Sequence, residues 1–353
     1  MSTYALNIET TDKAYVQIAT PQCIGIGFVL PSIELIITNF HIVEGNPQVI
    51  IYSNNQKRFL VDVLYIDEIY DIAFLEMPKG FEIQSLSFNT DYAQSDSVFI
   101  KEKILRTGEI IKATDTFHNI KFIPTNIPID TAFSGSPLIN NKGEIIGMNT
   151  GSIYENDETG YALPITHVVK SIEEYQAVGQ RIATRCRACN LIATPDSKFS
   201  HCKDDSTKIF ATDYPKYEAE GVSRTIEGLI EKIGHKAALS RKGPNHWALI
   251  EGSATIYLSY YEPRGYILGD AFLCNLPEDA KVTEKIYKFL LQQNYLIKGL
   301  TFSISGNDIV LSLIIYDRHL NTNTAIELLQ TLLERADYYD NVLVEQYGAV
   351  WKS

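Results

Sequence analysis

Residues 36–43 read Ile36-Ile37-Thr38-Asn39-Phe40-His41-Ile42-Val43, an apolar run that delivers a histidine. Upstream stands Gly25-Ile26-Gly27-Phe28-Val29-Leu30, a second strand-like run. Downstream comes Asp67-Glu68-Ile69-Tyr70-Asp71-Ile72-Ala73-Phe74-Leu75. Further on, Phe133-Ser134-Gly135-Ser136-Pro137-Leu138 precedes Gly143-Glu144-Ile145-Ile146-Gly147-Met148-Asn149. Three of these segments thus present His41, Asp71 and Ser134, in that order, and each borders a run of strand-forming residues.

The surroundings agree with a β-rich half. From Ala14 to about Pro164, short segments rich in Val, Ile, Tyr, Phe and Thr alternate with Gly, Pro, Asn and Asp. Expected strands include Ala14–Thr20, Gly25–Leu30, Leu35–Asn39, Gln48–Ser53, Phe59–Ile66 and Ile72–Glu76. Later ones are Ser97–Lys101, Glu109–Thr114, Ile120–Pro124, Pro137–Asn140 and Glu144–Asn149. About a dozen short strands in this length predict a sandwich or a pair of barrels. His167 to about Arg185 reads as a helix by its apolar spacing.

The order His41, Asp71, Ser134 is that of the chymotrypsin fold. The motifs resemble the trypsin-like serine proteases, most closely the HtrA-type bacterial branch. Gly160-Tyr161-Ala162-Leu163-Pro164 supplies a further matching segment, and the resemblance covers roughly the first half of the chain. It implies an all-β double-barrel trypsin-like domain over residues 1–180 and a serine endopeptidase acting on a protein or peptide substrate. Ser134 would be the nucleophile, His41 the general base and then acid, and Asp71 the group that orients the imidazole. The backbone N–H groups of Ala132 and Ser134 would form the oxyanion hole. Small residues after the serine, Gly135 and Ser136, would leave room for the substrate strand.

Two positions depart from the pattern. Ala132 stands where glycine is usual, and its Cβ could disturb the turn that aims an oxyanion-hole N–H. Phe133 stands where digestive zymogens carry the aspartate that pairs with a freed N-terminus, so activation by clipping is not supported. A catalytically silent or latent protease-fold scaffold that binds proteins is the rival reading. His118 and His167 match no motif.

Cys186-Arg187-Ala188-Cys189 is a C-x₂-C knuckle, followed by Ser200-His201-Cys202. Over residues 181–206 this resembles a zinc ribbon in which Cys202 closes the second pair and Phe199 replaces its partner. Cys186, Cys189, Cys202 and His201 would be the ligands of a structural zinc ion, or the ribbon has lost its metal. No cofactor is expected for catalysis. Cys23 and Cys274 lie in apolar strands as small hydrophobes.

A polar linker is expected over 207–221, and residues 222–353 then predict the order αβββαββα, a separate α+β domain. The expected elements are a helix over 222–240, strands Trp247–Glu251, Ala254–Tyr261 and Tyr266–Asn275, a helix Glu278–Gln293, strands Leu300–Ser305 and Ile309–Tyr316, and a helix Asn321–Tyr338. With Gly252-Ser253-Ala254-Thr255-Ile256, Leu276-Pro277, Leu290–Asn294 and Ala336-Asp337-Tyr338, this part resembles the type III secretion chaperone-like domains, including the YbjN group. The resemblance implies binding of a protein partner or formation of a homodimer.

Composition narrows the partners. Of 353 residues, 45% are hydrophobic and 21% charged, with a formal net charge of -12. That acidity disfavours nucleic acid. The absence of a long apolar run disfavours a membrane span. The five cysteines form an odd, clustered set. With no leader-like segment at the start, they make the cytoplasm the expected compartment.

Overall fold

The computed structural model describes residues 14–30, 33–53, 57–81, 83–101, 105–128, 133–150, 159–179, 182–194, 202, 206–207, 217–251 and 254–352. The chain divides into two compact units, residues 1–217 and 218–353.

The first unit begins with β1 (Tyr15–Ala19), β2 (Ile24–Phe28), β3 (Leu35–Thr38), the short helix α1 (Phe40–Val43), β4 (Gln48–Tyr52), β5 (Arg58–Asp67) and β6 (Ile72–Glu76). They run β5-β4-β1-β2-β3-β6, and β5 also pairs with β6, so the sheet closes on itself. The two-residue period of a strand sends successive side chains to opposite faces. Ile36, Ala73 and Leu75 enter one core cluster, while Leu35, Ile37 and Phe74 enter another. Both faces of these strands are covered, which is why they read as unbroken apolar runs.

A second sheet contains β7 (Ser97–Lys101), β8 (Leu105–Glu109), β9 (Asp115–Phe117), β10 (Ile120–Thr125), β11 (Pro137–Asn140), β12 (Ile145–Thr150) and β13 (Gly160–Pro164). Its order is β8-β7-β11-β12-β13-β10-β9. Beyond the end of β8, Ile111 N donates to Pro124 O at 2.9 Å, and Asn126 N donates to Glu109 O at 3.2 Å. The strand expected at Glu109–Thr114 is therefore placed earlier, at Leu105–Glu109. None of the β8 side chains is fully buried, so this strand carries no apolar alternation to announce it.

Helix α2 (Ile165–Ala177) is shorter than the helix expected to reach Arg185. The chain turns at Gly179, φ 85°, a conformation that costs glycine nothing. Residues Ala183–Arg185 then form β14, which pairs in parallel with β5 and antiparallel with β15 (Ile192–Ala193). The start of the cysteine segment is thus built into the first sheet.

The second unit contains α3 (Gly221–Lys232), α4 (Ala237–Ser240), β16 (His246–Glu251), β17 (Ala254–Tyr261), β18 (Tyr266–Asn275), α5 (Ala280–Leu296), β19 (Leu300–Ser305), β20 (Asp308–Tyr316) and α6 (Thr322–Tyr347). Its antiparallel sheet runs β16-β17-β18-β20-β19. The Asp279 side chain accepts the N–H groups of Lys281 and Val282 and so caps α5. Helix α6 runs past the expected end at Tyr338 because Tyr339, Val342 and Leu343 continue its buried face. Gly348, φ 81°, then stops it. Among the described residues, no helix is long and apolar enough to cross a membrane.

Candidate active site

Strand β3 ends at Thr38, and α1 places His41 one turn later. Asp71 stands at the start of β6, in a left-handed conformation with φ 54°. Pairing of β3 with β6, Thr38 opposite Ala73, brings the two residues together. His41 Nδ1 lies 2.8 Å from Asp71 Oδ2, and His41 N donates to Asp71 Oδ1 at 3.0 Å. Thr150 Oγ1 donates to Asp71 Oδ2 at 3.0 Å, and Asn39 Nδ2 donates to the Asp71 carbonyl at 2.9 Å. Backbone strain at Asp71 is thus held by contacts from two other segments, Asn39–His41 and Thr150.

With the carboxylate on Nδ1, the ring carries its proton there and leaves Nε2 as the basic atom. Burial alone would lower the His41 pKa. The hydrogen bond and charge of Asp71, helped by Glu44, outweigh it, and the pKa is raised above the ordinary histidine value.

Ser134 lies in the turn before β11. Its carbonyl accepts from Ile26 N at 2.9 Å, tying the serine turn to β2. The residue is 0% exposed, and Ser134 Oγ has no hydrogen-bond partner among the described residues. His41 and Asp71 are therefore joined, whereas the serine hydroxyl is not joined to His41.

Gly135 next to it has φ 81°, and a Cβ there would stand 2.1 Å from Ile26 O and 2.6 Å from Thr38 Oγ1. The glycine is required by close backbone approach, a stronger reason than room for substrate. Ser136 Oγ donates to Phe133 O at 2.6 Å, and buried Asn149 donates through Nδ2 to Ser136 Oγ at 3.0 Å. Asn39, Asn149 and Thr150 support the site without having been singled out in the sequence. Their signal was adjacency alone: one sits two residues before His41, the others where β12 meets the serine turn.

Ala132, expected to supply one oxyanion-hole donor, lies outside the described residues, as do Ile129–Thr131 and residues 151–158. His118 adopts φ 48° in the β9–β10 turn. The His167 ring packs on Tyr70 at 5.0 Å.

Three cysteines form a second cluster. The Sγ atoms of Cys186, Cys189 and Cys202 all lie within 4.8 Å of one another and could bind a metal. Cys189 Sγ and Cys202 Sγ are 3.6 Å apart, well beyond the ~2.05 Å of a disulfide. His201, the expected fourth ligand, lies outside the described residues. Cys274 is buried as expected, and burial, with the nearby Asp340 charge, pushes its thiol up to about 12. Cys23 is only half-buried.

Residues 25–148 match the trypsin-like peptidase domain. The chain is 26% identical over 175 residues to the putative serine protease HhoA of Synechocystis sp., across 44% of this chain and 43% of HhoA. It is 24% identical over 180 residues to a probable periplasmic serine endoprotease DegP-like protein of Ectopseudomonas mendocina, across 45% of this chain and 36% of that protein. The chain thus spans less than half the length of these relatives. The solved serine endoprotease from Yersinia pestis is similar with a TM-score of 0.43 at 21% identity, across 52% of this chain and 70% of that one.

Proposed function

We propose that this protein is an HtrA-type serine endopeptidase whose two closed sheets form the double barrel of that family. The carrying observation is the His41–Asp71 pair, set beside the Ser134 turn within the matched domain. Ser134 Oγ attacks a peptide carbonyl while His41 Nε2 takes its proton. The acyl–oxygen bond forms, the C–N bond breaks, and His41 gives the proton to the leaving amine. Water, deprotonated by the same imidazole, then releases the acyl group. Asp71 keeps the imidazolium in place and stabilises its charge. The N–H groups of Ser134 and Ala132 are the proposed oxyanion donors.

A latent form of the same enzyme is favoured by one observation, the buried Ser134 hydroxyl that has no hydrogen-bond partner among the described residues. In that arrangement His41 does not hydrogen-bond the nucleophile, and the hydroxyl must turn toward the imidazole before reaction. Active-site labelling with a fluorophosphonate, beside Ser134→Ala, tests the proposal. Labelling lost in the variant supports an activated serine. A wild-type chain that stays unlabelled with every candidate protein partner added defeats it.

The second unit is proposed to bind a protein partner or a second copy of the chain, by its resemblance to secretion chaperone-like domains. Exposed Leu291, Tyr295 and Leu296 on α5 are compatible with that role. The cytoplasm is the proposed compartment, supported by cysteine sulfurs that lie apart as a cluster. A metal at that cluster would be structural zinc and would take no part in the reaction.

A further inference from the structure

The cysteine segment contains one turn built twice. Cys186 N donates to Leu191 O at 2.9 Å, and Asn190 N donates back to Cys186 O at 2.9 Å. Cys202 N donates to Thr207 O at 2.7 Å, and Ser206 N donates back to Cys202 O at 2.9 Å. The residue four after each cysteine is left-handed, Asn190 at φ 63° and Ser206 at φ 56°. Each turn opens on a buried cysteine, and the two thiols converge with Cys189. Simple apolar packing of three thiols would not demand matched turns with non-glycine residues at positive φ. A tetrahedral metal would: thiolates at ~2.3 Å from zinc stand about 3.8 Å apart, close to the 3.6 Å between Cys189 and Cys202.

The first turn also grips the turn that presents Asp71. Arg185, immediately before Cys186, donates through Nη1 to Asn190 O at 2.8 Å, inside the cysteine turn. Its Nε donates to Asp67 Oδ2 at 2.5 Å, and Nη2 donates to Glu174 Oε2 at 2.7 Å. Asp67 Oδ1 accepts the N–H groups of Ile69 and Tyr70, each at 3.0 Å, and Asp71 follows. Side-chain exposure is 3% for Arg185 and 0% for Asp67. Arg187, after Cys186, pairs with Glu68 in the same Asp67–Asp71 turn.

We propose that Cys186, Cys189 and Cys202 bind one tetrahedral, thiolate-preferring divalent ion of the zinc class, and that the ion positions Asp71 by fixing Arg185 on Asp67. The binding half stands by itself. The positioning half rests on Asp71 serving His41 as proposed above, with Arg185 and Asp67 as positioning residues. The repeated turn also changes the ligand register. Cys202 opens its turn and does not close a pair with position 199.

The test uses the full chain. Metal analysis is expected to find about one zinc per chain, removable by a chelator. Cobalt(II) added to the stripped protein is expected to give the intense visible absorption of tetrahedral sulfur ligation. Cys189→Ser and Cys202→Ser should each weaken that spectrum. Absence of both zinc and the cobalt spectrum in wild type overturns the site, without recourse to variants that could misfold.

Positioning is read from the His41 imidazole by NMR titration, in zinc-loaded and stripped protein. Its pKa is expected to fall by about one unit on stripping and to return with zinc. A His41 titration indifferent to the metal overturns the coupling and leaves the site standing. A chain that binds zinc but never labels with fluorophosphonate instead defeats the protease reading alone.

Discussion

The turn that carries Asp71 and the turn that carries Ser134 face the same chemistry and are built differently. Asp71 is fixed on all sides: its carboxylate takes three hydrogen bonds and its carbonyl takes one from Asn39. Among the described residues, Ser134 is held through its backbone, by Ile26 and by the neighbouring Gly135 contact, and its hydroxyl has no hydrogen-bond partner. The His41–Asp71 pair is preorganised, and the hydroxyl of Ser134, the proposed nucleophile, is not. Preorganisation of the charged pair costs little here, since each member satisfies the other, whereas a buried hydroxyl without a partner forgoes a hydrogen bond worth roughly 1 kcal/mol. A small rearrangement that recovers that bond with His41 would complete the site.

The largest expected effect breaks the comparison at the serine. Ser134→Ala should lower peptide hydrolysis by about 10⁶-fold relative to an active wild type; a residual rate near wild type in a burst-phase assay would show that another group is the nucleophile. Asp71→Asn should cost about 10⁴-fold in kcat by stabilising the wrong tautomer, with the fold intact by circular dichroism.

Asp67→Ala attacks the preorganised side from beneath. It leaves Arg185 buried without its main partner, and should destabilise the first unit by about 3–5 kcal/mol in denaturant titration. Gly135→Ala sharpens the serine side: positive φ and a 2.1 Å approach to Ile26 O predict about 1–3 kcal/mol of strain. Equal stability of that variant would mean that the turn rearranges freely.

The smallest effect is in pH. The general base must be neutral, and the folded state holds the His41 proton more tightly than the ordinary 6.5. The labelling rate should therefore rise with pH through a limb above that value, and Glu44→Gln should move the limb slightly down. Because the folded pKa is the raised one, the His41 contribution to stability is complete below the unfolded pKa. It is lost as pH rises through the folded pKa, so the reactive form lacks it. A limb at or below the ordinary histidine value would contradict the Asp71 contact.

Much of this was legible locally. His41 and Asp71 adjoin apolar runs rich in strand-forming residues, and the order of the three segments pointed to their chemistry. The strand at Leu105–Glu109 was not legible, because none of its side chains is fully buried. The helix expected to reach Arg185 stops early because Arg185 is needed in β14, facing Asp67.

What the sequence by itself determined is therefore the residue types, their order and the runs that bury them, since strand period and apolar patterning are local properties. Only the tertiary structure decided that Gly135 must be glycine, that Cys202 opens a turn, and that Arg185 holds Asp67 from 118 residues away. Those outcomes depend on which backbone and which charge arrive alongside, and contacts between distant segments leave no periodic trace in the chain.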